Sequence, residues 1–355
     1  MERIFPARTN FYRNYKFYDT VEFVPPRGGG ELICHDAENF FDRITSIENL
    51  FLSWKEFRIG KASKIDVLEF ELSLENNVFD LYYSLKNGTY QHGGYQSFYV
   101  CDPKRRHIHK PTVRDRLLHH AVFRIIEPVF NRKFIFDTFS CRDNKGHHAA
   151  VTRLQQKAWT LSRNNTMTVW YLKLDIKSFF KSVNNSILLQ IISKTIHEQR
   201  TLKLIHEILH SFPGGIPLGN LTSQLFANVY MNELDQFIKH RVKIPFYIRY
   251  CDDLVLLSRS REELEKVQIS IENYLLSHLR LGLHSDKILM GKYHNGIDFL
   301  GFVCFPHFKI LRTKTLRRMF RKLNKNNFAS YQGLVKHACS RHIQKLMQDN
   351  LGRQA

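Results

Sequence analysis

Residues Phe246–Ser258 read FYIRYCDDLVLLS. Two short runs of aromatic and branched apolar residues flank Asp252 and Asp253, a pattern that predicts two strands joined by a tight hairpin turn around the acids. Adjacent carboxylates between apolar strands are costly to bury unless positive charge lies against them. Mg²⁺ is one such charge, because it takes hard oxygen ligands and usually needs only one or two protein carboxylates. Standing alone, an Asp-Asp hairpin is more often a solvated turn than a metal site, so the rest of the chain has to choose.

A second acid comes from upstream. Val169–Ile192 reads VWYLKLDIKSFFKSVNNSILLQII, and within it Leu172, Leu174 and Ile176 alternate with Tyr171, Lys173 and Asp175. That period of two predicts a half-buried strand with Asp175 at its end on the polar face. Asn184 or Asn185 is placed to cap the helix that carries Ile187, Leu188, Ile191 and Ile192. Three carboxylates from two neighbouring strands could hold two metal ions roughly 3.5–4 Å apart, the arrangement used for in-line phosphoryl transfer.

The charge balance points the same way. The 355 residues carry 53 Lys and Arg against 33 Asp and Glu, a formal charge of +20 that favours a polyanionic partner. From Pro103 to Arg116 there are six basic residues and one acid, an extended basic strand that leads into a helix at Leu117–Phe130. Arg forks and Lys point charges suit phosphate groups. His107, His109, His119 and His120 lack Cys or acid partners at metal-ligand spacing, which assigns them nucleic-acid or surface roles. Residues 213–240 form a Pro/Gly loop and a helix whose Phe226, Tyr230, Leu234 and Ile238 recur at four-residue steps.

The remaining segments frame these. Residues 1–35 are aromatic and basic, end in a Pro-Pro-Arg-Gly-Gly-Gly loop, and read as an extension that packs on a partner or on RNA. Residues 36–92 read as helical, with one periodic stretch from Ile65 to Leu85 and a turn at Asn87-Gly88. Arg261–Leu281 predicts an amphipathic helix, then LGLHSDKILMGK and GIDFLGFVCF a pair of strands. Lys309–Ala355 carries twelve Lys and Arg with Asp349 as its single acid, and its spaced apolar residues predict a basic helical subdomain. Six widely spaced cysteines with no C-x-x-C pair argue against a disulfide scaffold or zinc ribbon. With no signal-like start and no apolar run of membrane-spanning length, the expectation is a soluble cytoplasmic protein with no membrane partner.

In order, the PKRRHIHKP strand, LDIKSFF, GGIPLGNLTSQLFANVY, YCDDLVLLS, LGLHSDK and FLGF closely resemble the motifs of reverse transcriptases over residues 85–355. The resemblance implies an α+β right-hand fold with fingers at 36–165, a palm with an antiparallel sheet at 166–308 and a helical thumb at 309–355, after the 1–35 extension. It implies RNA-templated DNA synthesis from dNTPs with two Mg²⁺ ions, Mn²⁺ being the alternative. By motif position Asp175, Asp252 and Asp253 are the metal-binding carboxylates, with the Ile176 backbone helping one ion. The resemblance further implies that Lys287 protonates the leaving pyrophosphate, that Lys104 and Arg106 cradle the triphosphate, and that Phe180, or its neighbour Phe179, excludes a ribose 2′-hydroxyl. It also implies that Tyr250 lies beneath the primer terminus, and Phe299–Phe302 resembles the primer grip.

Leu218 and Gln224 depart from the common pattern, which has Gln and Pro at those places. The departure is similar to reverse transcriptases of diversity-generating retroelements, which copy a template RNA with errors at adenines. The Tyr-Cys-Asp-Asp wording and the 1–35 extension are not expected of that group, and antiphage-defence reverse transcriptases and stand-alone relatives of group II intron enzymes share the same core. The lack of a DNA-binding or endonuclease region after the thumb argues against a complete mobile-intron protein. Expected partners are a template or non-coding RNA, its cDNA, dNTPs, and an accessory protein or a second copy of the chain. Two other readings fit the same charge: template-independent or protein-primed DNA synthesis on the same palm, and a non-enzymatic RNA-binding scaffold.

Overall fold

The structure, a computed structural model, describes residues 39–338 except 102, 103, 325 and 326, together with 343, 344, 346 and 347. The 1–35 extension and most of the last segment beyond residue 338 lie outside the described residues.

Four helices open the described chain: α1 (Phe40–Thr45), α2 (Ile47–Arg58), α3 (Ile65–Leu72) and α4 (Leu74–Lys86). The Ile65–Leu85 stretch is thus broken at Ser73 rather than continuous. An antiparallel hairpin follows, β1 (Tyr95–Cys101) paired with β2 (Arg105–Pro111), and β2 feeds the long helix α5 (Val113–Asn131). Thr112 caps α5 by accepting from the Asp115 N–H. The chain continues through α6 (His147–Leu161), β3 (Trp170–Asp175), the single turn α7 (Phe179–Ser182), α8 (Asn185–Ser193), α9 (Gln199–His210) and α10 (Leu221–Gln236). Asn184 caps α8, its Oδ1 accepting from the Ile187 N–H at 3.0 Å.

Then come β4 (Tyr247–Tyr250), β5 (Asp253–Ser258), α11 (Arg261–Tyr274) and β6 (Leu289–Lys292). These strands form one antiparallel sheet in the order β4-β5-β3-β6. A separate three-stranded sheet holds β7 (Ile297–Phe299), β8 (Phe302–Cys304) and β9 (Lys309–Leu311) in that order. The two strand-like runs between 281 and 304 therefore do not pair with each other: β6 joins β3, and β7 and β8 form a hairpin in the second sheet. The basic end segment opens with strand β9 before its helices α12 (Thr313–Lys322) and α13 (Phe328–Lys336).

The four-stranded sheet separates two cores. Leu172, Leu174, Tyr247, Leu254 and Leu256 face a core shared with α5, α8, α10 and α11. Ile248, Val255 and Leu257 face the other way, onto α6, the second sheet and α12. Being covered on both faces, β5 has no polar alternation at all, which explains the unbroken LVLL run. Each fully buried Leu, Ile or Val contributes about 1.5–3 kcal/mol relative to exposure. Helix α10 is buried almost all round rather than along one stripe, because α5, α8 and the sheet all pack on it.

Candidate active site

Register brings the acids together. Asp175, the last residue of β3, pairs with Asp253, the first residue of β5. The hairpin turn itself is Cys251-Asp252, with Tyr250 opposite Asp253, so the turn lies one residue earlier than the acid pair alone suggests. Cys251 adopts a left-handed φ of 57°, which lets β4 reverse into β5 within two residues. Beyond the strand end, the Ile176 N–H donates to the Asp252 carbonyl at 3.4 Å. Ile176 thereby ties the tip of β3 to the turn.

Two lysines answer the carboxylates. Lys287 Nζ lies 2.6 Å from Asp175 Oδ1. Its short 3₁₀ turn, Ser285–Lys287, is anchored because the His284 N–H donates to the Asp175 carbonyl at 2.9 Å. Lys173 Nζ lies 3.2 Å from Asp253 Oδ1. Its hydrogen bond goes instead to the Asp298 carbonyl on β7, at 2.9 Å. Asp253 Oδ1 is therefore charge-paired yet buried without an accepted hydrogen bond.

Burial pushes the Asp252 carboxyl above the usual carboxylate range, and the Asp175 charge adds to the rise. Asp253 is pushed up to about 6, mainly by burial; Lys173 opposes this, while Asp252 and Asp175 add to it. Such a site carries more negative charge than its lysines relieve. Its donors are hard carboxylate oxygens, one of them unsatisfied, which fits Mg²⁺ or Mn²⁺. Among the described residues, however, no three His, Cys, Asp or Glu side chains close on one point. Asp175 and Asp253 are turned toward Lys287 and Lys173 instead.

The other expected residues fall at different distances from this centre. Phe179 is buried, 2% exposed, while Phe180 is half-exposed beside it, which favours Phe180 as the residue able to meet a ligand. The Pro213–Gly215 loop sits against this turn through the Ile216 N–H, which donates to the Phe180 carbonyl at 2.8 Å. Leu218 is half-buried, and its carbonyl accepts from the His109 N–H of β2 at 3.1 Å, joining the loop before α10 to the β1–β2 hairpin. Gln224, half-buried, lies on the first turn of α10. Lys104 and Arg106 are exposed at the far end of the hairpin, and no hydrogen bond or ion pair joins them to the three carboxylates. Phe299 and Phe302 are buried core residues flanking the Leu300-Gly301 turn and share a core with Ile248, Val255 and Leu257 of the four-stranded sheet, while the carbonyl of the preceding Asp298 accepts from Lys173.

Sequence reasoning gave no role to Lys173 and Arg249. Lys173 was legible in outline, two residues before Asp175 on the same strand face. Arg249 is a lone cation in a strand otherwise buried, a pattern that calls for a buried acid.

Residues 100–304 match the family model for reverse transcriptase (RNA-dependent DNA polymerase). Protein YkfC of Escherichia coli (strain K12) is 22% identical over 261 residues, which cover 61% of this chain and 68% of that protein. The group II intron-encoded protein LtrA of Lactococcus lactis subsp. cremoris is 22% identical over 319 residues, covering 69% of this chain and 51% of LtrA. The chain thus matches about half the length of that intron-encoded relative. A solved structure of telomerase from Candida albicans, in complex with a TWJ fragment of telomeric RNA, superposes in part, with a TM-score of 0.49, 14% identity, and coverage of 74% of this chain and 53% of that one. Since the matched family model spans more than half of the chain and includes Asp175, Asp252 and Asp253, the chain belongs to the reverse transcriptase (RNA-dependent DNA polymerase) family.

Proposed function

We propose that this chain polymerises dNTPs on an RNA template by two-metal phosphoryl transfer centred on Asp175, Asp252 and Asp253. The observation that carries the proposal is the pairing of Asp175 with Asp253 beside the Cys251-Asp252 turn, where burial and like charges raise both hairpin carboxyls. Asp175, Asp252 and Asp253, with the Ile176 backbone, would hold two Mg²⁺ ions. Bound there, the metal supplies Lewis acidity to a primer 3′-hydroxyl and charge neutralisation to the triphosphate.

The chain's own groups do the rest. Lys287, already paired with Asp175, has a proton to give to the departing pyrophosphate. The Phe180 ring excludes a 2′-hydroxyl, Tyr250 supports the primer end, and Lys104 and Arg106 take the triphosphate when the β1–β2 hairpin approaches it. On this reading residues 36–165 act as fingers, 166–308 as palm and 309–355 as thumb. Leu218 and Gln224 favour a role in a diversity-generating retroelement, copying a non-coding RNA with reduced accuracy at adenines. A bacterial antiphage defence role uses the same chemistry, and a template/variable repeat pair beside the gene would separate the two.

The test is primer extension by the Asp252→Ala/Asp253→Ala variant. Incorporation should disappear while the melting temperature and RNA affinity stay near wild type. Retained extension in the double variant overturns the assignment.

A further inference from the structure

Behind the catalytic hairpin lies an ion pair with no solvent access. Arg249 and Asp235 are both 0% exposed. Arg249 grips Asp235 with two donors, Nε to Oδ1 at 2.8 Å and Nη2 to Oδ2 at 2.6 Å. The carboxylate also accepts from Tyr247 OH at 2.8 Å and Thr138 Oγ1 at 3.0 Å. The remaining guanidinium donors reach Asn228 Oδ1 at 3.2 Å, Thr138 Oγ1 at 3.5 Å and the Cys251 carbonyl at 3.1 Å. All five donors of the fork are used.

Such a pair is poor evidence of stability, since well-packed apolar residues of the same volume commonly hold a fold as well or better. What an apolar replacement cannot do is donate to the Cys251 carbonyl. Cys251 holds a left-handed φ of 57°, an unfavourable conformation for a residue with a Cβ. Its carbonyl belongs to the same peptide plane as the Asp252 N–H, so fixing that oxygen fixes the direction in which Asp252 leaves the turn. On its other side, the Asp252 carbonyl is held by the Ile176 N–H. Asp252 is clamped from both neighbouring peptides, by Arg249 and by the end of β3.

We propose that Arg249 is a positioning residue for the polymerase reaction: anchored on Asp235, it sets the left-handed Cys251 turn and thereby aims Asp252. The frame is stiff. Asp235 and Asn228 both stand on α10, Asn228 Nδ2 bonds the Ser140 carbonyl at 2.8 Å, and β4 is bonded to residues 137 and 139 through both its Arg249 peptide groups. The proposal rests on the catalytic reading of Asp252 given above.

Two variants test it: Arg249→Lys, which keeps a charge but loses the fork, and Arg249→Met/Asp235→Leu/Tyr247→Phe, which removes the buried charges and their polar partner together. Each is measured for melting temperature, primer–template Kd, steady-state kinetics, and residue-resolved thiol labelling at Cys251 with the buried Cys304 as a control. In both, kcat should fall tenfold or more, with KM for dNTP and primer–template Kd within twofold. Cys251 labelling should accelerate several-fold while Cys304 labelling does not change. A folded variant with kcat within twofold of wild type and unchanged Cys251 labelling overturns the proposal. Loss of folding in both variants also overturns it, assigning the cluster to the fold alone. An inactive wild-type enzyme overturns the catalytic reading instead, and the labelling at Cys251 still reports whether Arg249 sets the turn.

Discussion

Gly215 offers a sharp test of how the loop before α10 is seated. Its φ is +70°, and an added Cβ would fall 2.2 Å from the Phe180 carbonyl oxygen and 2.8 Å from the Lys181 backbone. Backbone atoms cannot rotate aside as a side chain would, so the loop must lift from α7 and lose the 2.8 Å bond from the Ile216 N–H to Phe180. For Gly215→Ala the left-handed conformation costs about 1–2 kcal/mol and the lost hydrogen bond about 1 kcal/mol more. Gly214 is the internal control, with φ at +77° and nothing within 4 Å of the place a Cβ would take, so Gly214→Ala carries the conformational cost alone. Urea unfolding of the two variants should separate them by roughly 1 kcal/mol or more, Gly215→Ala being the weaker. Because the displaced contact is Phe180, Gly215→Ala should also incorporate ribonucleotides more readily than Gly214→Ala does. Equal unfolding midpoints and m-values in the two variants would refute the close approach between loop and turn.

Two further outcomes follow from other parts of the molecule. His119 and His120 are kept neutral by burial, His120 down to about 3 from an ordinary 6.5. A histidine whose folded value is depressed contributes stability that is present above pH 6.5 and lost as pH falls from there toward 3. By pH 5 the stability lost through His120 is on the order of 2 kcal/mol, so the melting temperature should drop between pH 7 and pH 5, less steeply in His120→Gln; parallel pH profiles would contradict this. Restoring glutamine in Leu218→Gln should raise fidelity opposite template adenine, as read by sequencing cDNA copied from a defined RNA, and an unchanged error spectrum counts against the retroelement reading.

The strand that bears Asp175 was legible because one of its faces is fully buried and the other only half-buried and polar, so a period of two survives in Tyr171–Ile176. The β4–β5 hairpin was legible through its turn acids and its apolar runs, although the left-handed residue turned out to be Cys251, for which no Gly or Asn gave notice. The partition of residues 281–304 between two sheets was not legible. Strand pairing there is settled by contacts remote in sequence, β6 with β3 and β7 with β8, and short strands carry too few residues to fix partners locally. Lys173 and Arg249 escaped for a related reason. Their roles depend on Asp253, Asp298 and Asp235, acids on other elements whose proximity only the folded chain creates. The break at Ser73 likewise leaves no mark in the apolar period, which continues through it.

RNA-directed DNA synthesis at the three-carboxylate centre is tested most directly by labelled-dNTP incorporation. The purified chain is given a primed heteropolymeric RNA, with and without Mg²⁺, and the product is sequenced. Mg²⁺-dependent DNA whose sequence maps to the RNA template is the expected result. Product that forms without a divalent ion, or whose sequence ignores the template, would contradict it.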